Sequence, residues 1–291
     1  MTSQVEASRT EGEIVQRAKK GLRVYFSILL VTVAIMSTVL YINPNPLFIT
    51  FGYMFTPAVS AILTRIILKE GFKDVSFKLD RKVWKFIGLA FVIVTVMWLV
   101  IHSIASFFGL SEFQIPQGGG IAKSIVYSIL GQYQLTPLNF PIILVVASIL
   151  SSLVTLIPVM GEELGWRGFM LTRLIDAKVK YPVLMSGLIW LLWHAPILIL
   201  NIGGAAKMAV GVILSGLLTA FLVGHFRLSS GSIWPAAIAH ASNSFALAIP
   251  LRTSETVNLM PLIQFPILAI TVILLYRTIK LPKPLWQNHT R

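Results

Sequence analysis

Apolar residues run in long blocks along this chain, and polar residues gather in the short stretches between them. Eight blocks stand out, at roughly 24–42, 47–68, 84–108, 139–160, 181–201, 207–226, 232–250 and 259–276. Each holds about 18–25 residues, enough for an α-helix to cross roughly 30 Å of hydrocarbon. The pattern predicts an all-α, polytopic membrane helix bundle of about eight transmembrane helices. Residues 24–280 are expected to form one membrane domain, flanked by a partly helical cytoplasmic arm (1–23) and a cytoplasmic tail (281–291). The first block, VYFSILLVTVAIMSTVLYI, follows more than twenty largely polar residues and shows no small-residue cleavage pattern. It reads as a retained helix rather than a signal peptide.

Composition agrees and removes several chemistries. Of 291 residues 56% are hydrophobic and 12% charged, about half the charge fraction of a soluble domain. There is no cysteine, so disulfides, thiolate catalysis and cysteine-held metals are excluded. The net charge of +13 first suggests nucleic acid, but the basic residues lie between apolar blocks rather than on one arm or face. With eight spans, 21 of the 24 basic residues fall on one side. Only Lys123, Lys207 and Arg252 fall on the other. Both termini are therefore expected in the cytoplasm, with some attraction to anionic lipids and no nucleic-acid partner.

The loops carry fewer signals. Residues 69–85, KEGFKDVSFKLDRKVWK, mix charges with Phe72, Phe77 and Trp84 and are expected along the headgroups. The long segment 109–138 has turn signals at Pro116 and Gly118–Gly120 and a short stretch, IAKSIVYSIL, that fits an interfacial helix. No internal repeat is evident, so a transporter built of inverted halves is not supported.

Polar residues inside apolar blocks point to function. Three places have them: GEELGWRG, with Glu162, Glu163 and Arg167; SGLIWLLWHAP, with His194; and GSIWPAAIAHASNSF, with His240, Asn243 and Ser244. His102 and His225 lie nearer helix ends. Entering from the cytoplasm near Tyr181, His194 lies roughly 20 Å along its helix, and His240 lies roughly 12 Å along from Ser232. Glu162 reaches that depth only if the fourth helix continues past Met160 to about Ile175. The apolar residues Leu164, Trp166, Phe169, Met170, Leu171 and Leu174 favour that continuation, and Pro158 is placed to kink it.

Glu163 and Arg167 are four apart and share a helix face. That pairing leaves Glu162 free to face a polar cavity, and adjacent glutamates are not expected to point into one site from a regular helix. Glu162 beside His194 could hold a water and accept its proton. His240 with Asn243 or Ser244 could stabilise an oxyanion. Such a set suits peptide hydrolysis by an activated water. Two readings stay open at this point. Glu162, His194 and His240 also satisfy a two-histidine, one-carboxylate zinc site by ligand type, although no HExxH spacing is present. The same polar cluster would also serve a transporter or an immunity or scaffold protein.

At these residues the chain resembles the CPBP family of intramembrane proteases, which includes the type II CAAX prenyl endopeptidases (the Rce1-like group) and bacterial Abi-type proteins. The resemblance covers about residues 140–250. The family's EExxxR is met by Glu162, Glu163 and Arg167. Its FxxxH is met by WLLWH, where Trp190 replaces the phenylalanine and His194 is the histidine. In the third motif His240 matches, Ser244 stands at the asparagine position, and Asn243 lies one residue before it. The resemblance implies a glutamic protease without cofactor or metal: Glu162 as general base, His194 as its partner and His240 at the oxyanion, supported by Glu163, Arg167, Trp190 and Asn243 or Ser244. It also implies a peptide or membrane-associated protein substrate, prenylated in the CAAX subgroup. The implied setting is a prokaryotic plasma membrane with the site reached from the cytoplasm.

Overall fold

The computed structural model describes residues 2–109, 136, 138–200, 209–246 and 260–281. The segment expected as an interfacial helix, the basic residues Lys123, Lys207 and Arg252, and residues 282–291 lie outside them. Among the described residues every regular element is helical. In chain order they are α1 (Thr2–Ile42), α2 (Pro46–Phe51), a 3₁₀ turn (Tyr53–Phe55), α3 (Thr56–Ile67), α4 (Arg81–Phe107) and α5 (Phe140–Gly165). A π-helical turn (Trp166–Met170) joins α5 to α6 (Leu171–Asp176). They are followed by α7 (Pro182–Ile199), α8 (Ala209–Ser230), α9 (Ile233–Ala246) and α10 (Met260–Thr278).

Five stretches of the described residues are long and apolar enough to cross a membrane: Glu11–Ile42, Leu47–Ile67, Arg81–Phe107, Pro182–Ile199 and Pro261–Thr278. Pro141–Leu150 with Ser152–Asp176 makes a sixth if the bent pair is one span. The expected sixth and seventh spans correspond to α8 and α9, which are not among these. The described part of α9 has 14 residues, roughly 21 Å of helix. α1 runs unbroken from the arm into the first span, and Arg17 and Glu11 tie it to Glu70 and Lys178.

α9 is the centre of the bundle, packed against α4, α5 and α8. Its small residues explain why three helices can crowd it. Ala236, Ala237, Ala239 and Ala241 are fully buried, and small side chains let helix backbones approach where no solvent drives association. Two cores flank this centre. One gathers Tyr25, Trp166, Phe169, Trp190 and Trp193; the other gathers Val94, Trp98, Leu222, Phe226 and Leu268.

The fourth apolar block does continue as helix through GEELGWRG, to Asp176. Its bend of 47° falls between Leu150 and Ser152, upstream of Pro158, where the kink was expected. Downstream of the bend the helix is fastened to α9 by a 2.9 Å hydrogen bond between Ser152 and Ser242.

Gly161 and Gly165 bracket the two glutamates on the face turned to α3. A Cβ on Gly165 would sit 2.5 Å from the carbonyl carbon and oxygen of Pro57, and one on Gly161 3.1 Å from the Met54 carbonyl oxygen. Backbone cannot yield as a side-chain tip can. Gly165→Ala is therefore expected to cost about 1–3 kcal/mol through forced separation of α3 and α5, read as a lower unfolding midpoint in mixed micelles. An unchanged midpoint would mean the helices are not in this contact.

The 69–80 segment is tied inward rather than laid freely on headgroups. Val75 is buried, and the Ser76 carbonyl accepts from the Ile233 N–H and the Ser232 hydroxyl. The carbonyls of Phe77 and Lys78 accept from the Trp234 indole and Ser232. The rings of Phe72, Phe77 and Trp84 remain exposed. Arg65, Arg167 and Arg227, all counted among the cytoplasmic basic residues, are buried among partners. Their positions answer to packing as well as to topology.

Candidate active site

Glu162 and Glu163 leave α5 one turn before it widens, and both are buried, at 3% and 0% exposure. A buried carboxylate needs donors, and the two find different ones. Glu163 Oε1 accepts from Arg167 Nη1 at 2.8 Å and from His240 Nδ1 at 2.7 Å. Glu162 Oε2 accepts from the Trp190 indole Nε1 at 2.8 Å. One carboxylate therefore faces two basic side chains, and the other faces a neutral donor.

The π turn contributes to this geometry. It carries Arg167, and two further arginines take its carbonyls: Arg227 Nε donates to the Arg167 oxygen and Arg65 Nη2 to the Gly168 oxygen, each at 3.2 Å. Arg65 is held in turn by Asp74 at 2.8 Å, and Arg227 donates to the Asp74 carbonyl, also at 2.8 Å. The inward-tied 69–80 segment thus braces the helix just below the glutamates. π turns often occur at functional sites for this reason: the widened backbone leaves groups that something else must bind.

α7 supplies Trp190 and His194 on one face, four residues apart. His194 Nδ1 lies 2.8 Å from the Trp190 carbonyl. A carbonyl only accepts, so Nδ1 carries a proton, and in the neutral ring the lone pair then lies at Nε2. The Trp190 ring stands nearly perpendicular to both histidines, with centroids 4.7 Å from His194 and 5.6 Å from His240. The Arg167 guanidinium lies over the same ring at 5.6 Å. Glu162 is within electrostatic reach of His194, His240 and Tyr53.

His240 comes from α9, with Nδ1 directed at Glu163. That oxygen already accepts from a guanidinium, so His240 Nδ1 is the donor, and a second N–H at Nε2 exists only when the ring is protonated. Asn243 is committed elsewhere. Its Oδ1 accepts from the Trp98 indole at 3.0 Å, and its Nδ2 donates to Thr219 at 3.4 Å, joining α9 to α4 and α8. The Ser244 backbone continues α9, and its side chain lies outside the described residues.

Three points differ from the sequence reading. The adjacent glutamates do border one site: Glu162 reaches it through Trp190 and Glu163 through His240, because α7 and α9 approach α5 from different sides. Asn243 binds neighbouring helices instead of standing free beside His240. Trp190 is more than an aromatic substitute, since its N–H binds Glu162. Sequence reasoning also missed a second aromatic layer. The Tyr53 hydroxyl donates to the Trp193 carbonyl at 2.6 Å, and Trp193 Nε1 donates to Thr56 at 3.0 Å. The second tryptophan in WLLWH was its only local sign. Among the described residues, no three histidine, aspartate or glutamate side chains group as metal ligands would. The trio that fits zinc by ligand type is not assembled that way here.

These residues bring a carboxylate and two imidazoles, one of them held by a second carboxylate, into one largely buried place. Residues 137–246 match the family model for type II CAAX prenyl endopeptidase Rce1-like, a segment containing all three motifs. No curated protein and no solved structure matches the chain. The resemblance read from the motifs is shown over that segment. Over residues 137–246 the chain is similar to that family, and with the apolar helices the match indicates an integral membrane protein.

Proposed function

We propose, from the Rce1-like match at residues 137–246, that the chain is a metal-independent glutamic endopeptidase working within the membrane. The observation that carries this reading is the unequal treatment of the two glutamates. Arg167 and His240 hold Glu163, whereas Glu162 is held by a neutral indole. A carboxylate held by a neutral donor is not already locked in a salt bridge and is the one available to a water.

In this reading Glu162 takes a proton from water while His194 Nε2 accepts the water's other hydrogen in a hydrogen bond. The water oxygen adds to the scissile carbonyl carbon. Protonated His240 donates from Nε2 to the resulting oxyanion. As the tetrahedral adduct collapses, the C–N bond breaks. The proton on Glu162 passes to the leaving nitrogen, giving a new carboxyl terminus and a free amine. Glu163 and Arg167 hold His240 and the π turn in place.

The substrate is a membrane-associated protein or peptide cut near its C-terminus in CAAX fashion, with a prenylated chain as the leading candidate. The 21-to-3 division of basic residues supports eight spans, cytoplasmic termini and cytoplasmic access to the site in a prokaryotic plasma membrane. Anionic lipids complement the basic side.

The test compares protein C-termini in membranes of cells expressing the native chain or Glu162→Gln. Uncut C-termini should accumulate in the variant and name the substrate. Identical C-termini in both would sink the reading. Purified native protein should keep its activity under a tight chelator. Activity lost to the chelator and restored by zinc would overturn the metal-free mechanism.

A further inference from the structure

Trp190 lies against Glu162, His194, His240 and Arg167. Its N–H binds Glu162, its carbonyl accepts from His194, its ring stands perpendicular to those of His194 and His240, and Arg167 lies over its face. The ring is buried, at 6% exposure. These contacts divide into two kinds. Packing against two imidazoles and a guanidinium is what any aromatic ring of this size could do. Donating to Glu162 requires the indole N–H, and the phenylalanine of the FxxxH pattern has no such donor.

Glu162 has a particular need for it. Glu163 is fixed by donors from its own helix and from α9. Glu162 is next to it in sequence yet draws on neither Arg167 nor His240 for a hydrogen bond. The bond at 2.8 Å from α7 sets which way its carboxylate turns. A base that samples several rotamers spends little time aligned with the water it must deprotonate. Using Oε2 to receive the indole leaves Oε1 as the oxygen that meets water.

We propose that Trp190 is the positioning residue for the Glu162 base, and that its N–H rather than its ring shape sets the rate of proton removal in this chain. The proposal rests on the proteolytic reading above. It makes the tryptophan a compensated departure from the family pattern: the bond it supplies must be kept, or the carboxylate must be re-aimed by another donor.

The test uses full-length protein in lipid nanodiscs and a prenylated fluorogenic peptide with a CAAX-type end. Trp190→Phe should lower kcat about tenfold with KM nearly unchanged, the size expected for losing one charge-assisted hydrogen bond. In case phenylalanine disturbs folding, benzothienylalanine is placed at position 190. It keeps the indole shape and replaces the N–H with sulfur. The same fall in kcat is expected there, and a purely structural role would leave kcat at the native value. Native kcat in the benzothienyl protein, or a raised KM with kcat intact, overturns the proposal. Glu162→Gln is assayed alongside. If it is inactive while the position-190 variants match native, only the positioning role fails; if it cleaves normally, Glu162 is not the base and the glutamate mechanism beneath the proposal fails with it.

Discussion

Glu162→Gln is expected to reduce peptide cleavage by roughly 10²–10⁴-fold, the range for removing a general base. The upper end is expected because, in the proposed mechanism, one carboxylate both takes the water proton and returns it to the leaving nitrogen. The amide keeps the carboxylate's shape, and its oxygen can still accept from the Trp190 indole. Folding should therefore be close to native, with an unfolding midpoint that separates lost chemistry from lost structure. His194→Ala is expected to lose about 10²-fold while retaining Glu162, because the water loses one of its two partners. A Glu162→Gln protein that folds and cleaves at the native rate would remove Glu162 from the reaction.

Arg167→Met should act mainly on stability. Arg167 and Glu163 are both almost completely buried, at 1% and 0% exposure. Removing one partner of such a pair leaves a charge with too little compensation, typically at a cost of about 3–5 kcal/mol. His240 offsets part of this, so the lower end is expected. Replacing both, with Glu163→Gln and Arg167→Met, should recover much of the loss because no lone charge remains. The double variant should still be inactive, since His240 would lose the carboxylate that fixes its ring. Reversible unfolding in mixed micelles measures the first effect and peptide cleavage the second, and together they form a double-mutant cycle. Native-like stability in Arg167→Met alone would show that the ion pair does not support the fold.

Sequence pattern made the helical blocks and the Glu163–Arg167 pairing legible, because both depend on near neighbours. Continuation of α5 through GEELGWRG was also legible, since Leu164, Trp166 and Phe169 maintain an apolar helix beyond the charges. The rest depends on partners distant in the chain. Trp190 and Glu162 are 28 residues apart, Glu163 and His240 are 77, and Trp98 and Asn243 are 145. Periodicity says which face of a helix is buried and is silent on which helix it meets. Asn243 illustrates the limit. Its spacing from His240 fits a shared oxyanion site, and only the approach of α4 and α8 draws it away. The π turn was hidden for another reason. Its residues are ordinary helix formers, and what holds it open is the pair Arg65 and Arg227 from other elements.

That turn also sets a relation between the two ends of one helix. A π step inserts a fraction of a turn, so the residues before and after it follow different angular phases. Glu162 and Glu163 are aimed by the upper phase. Arg173 and Asp176, which join the ion pairs with Glu70 and Asp74, are aimed by the lower one. The two glutamates and the ion pairs around Glu70 and Asp74 therefore need not share a register. The turn acts as a coupling of adjustable angle, allowing the ion-paired end to be altered residue by residue while the glutamate end keeps its aim. A single-residue deletion within 166–170 would remove that freedom and force both ends onto one helical phase.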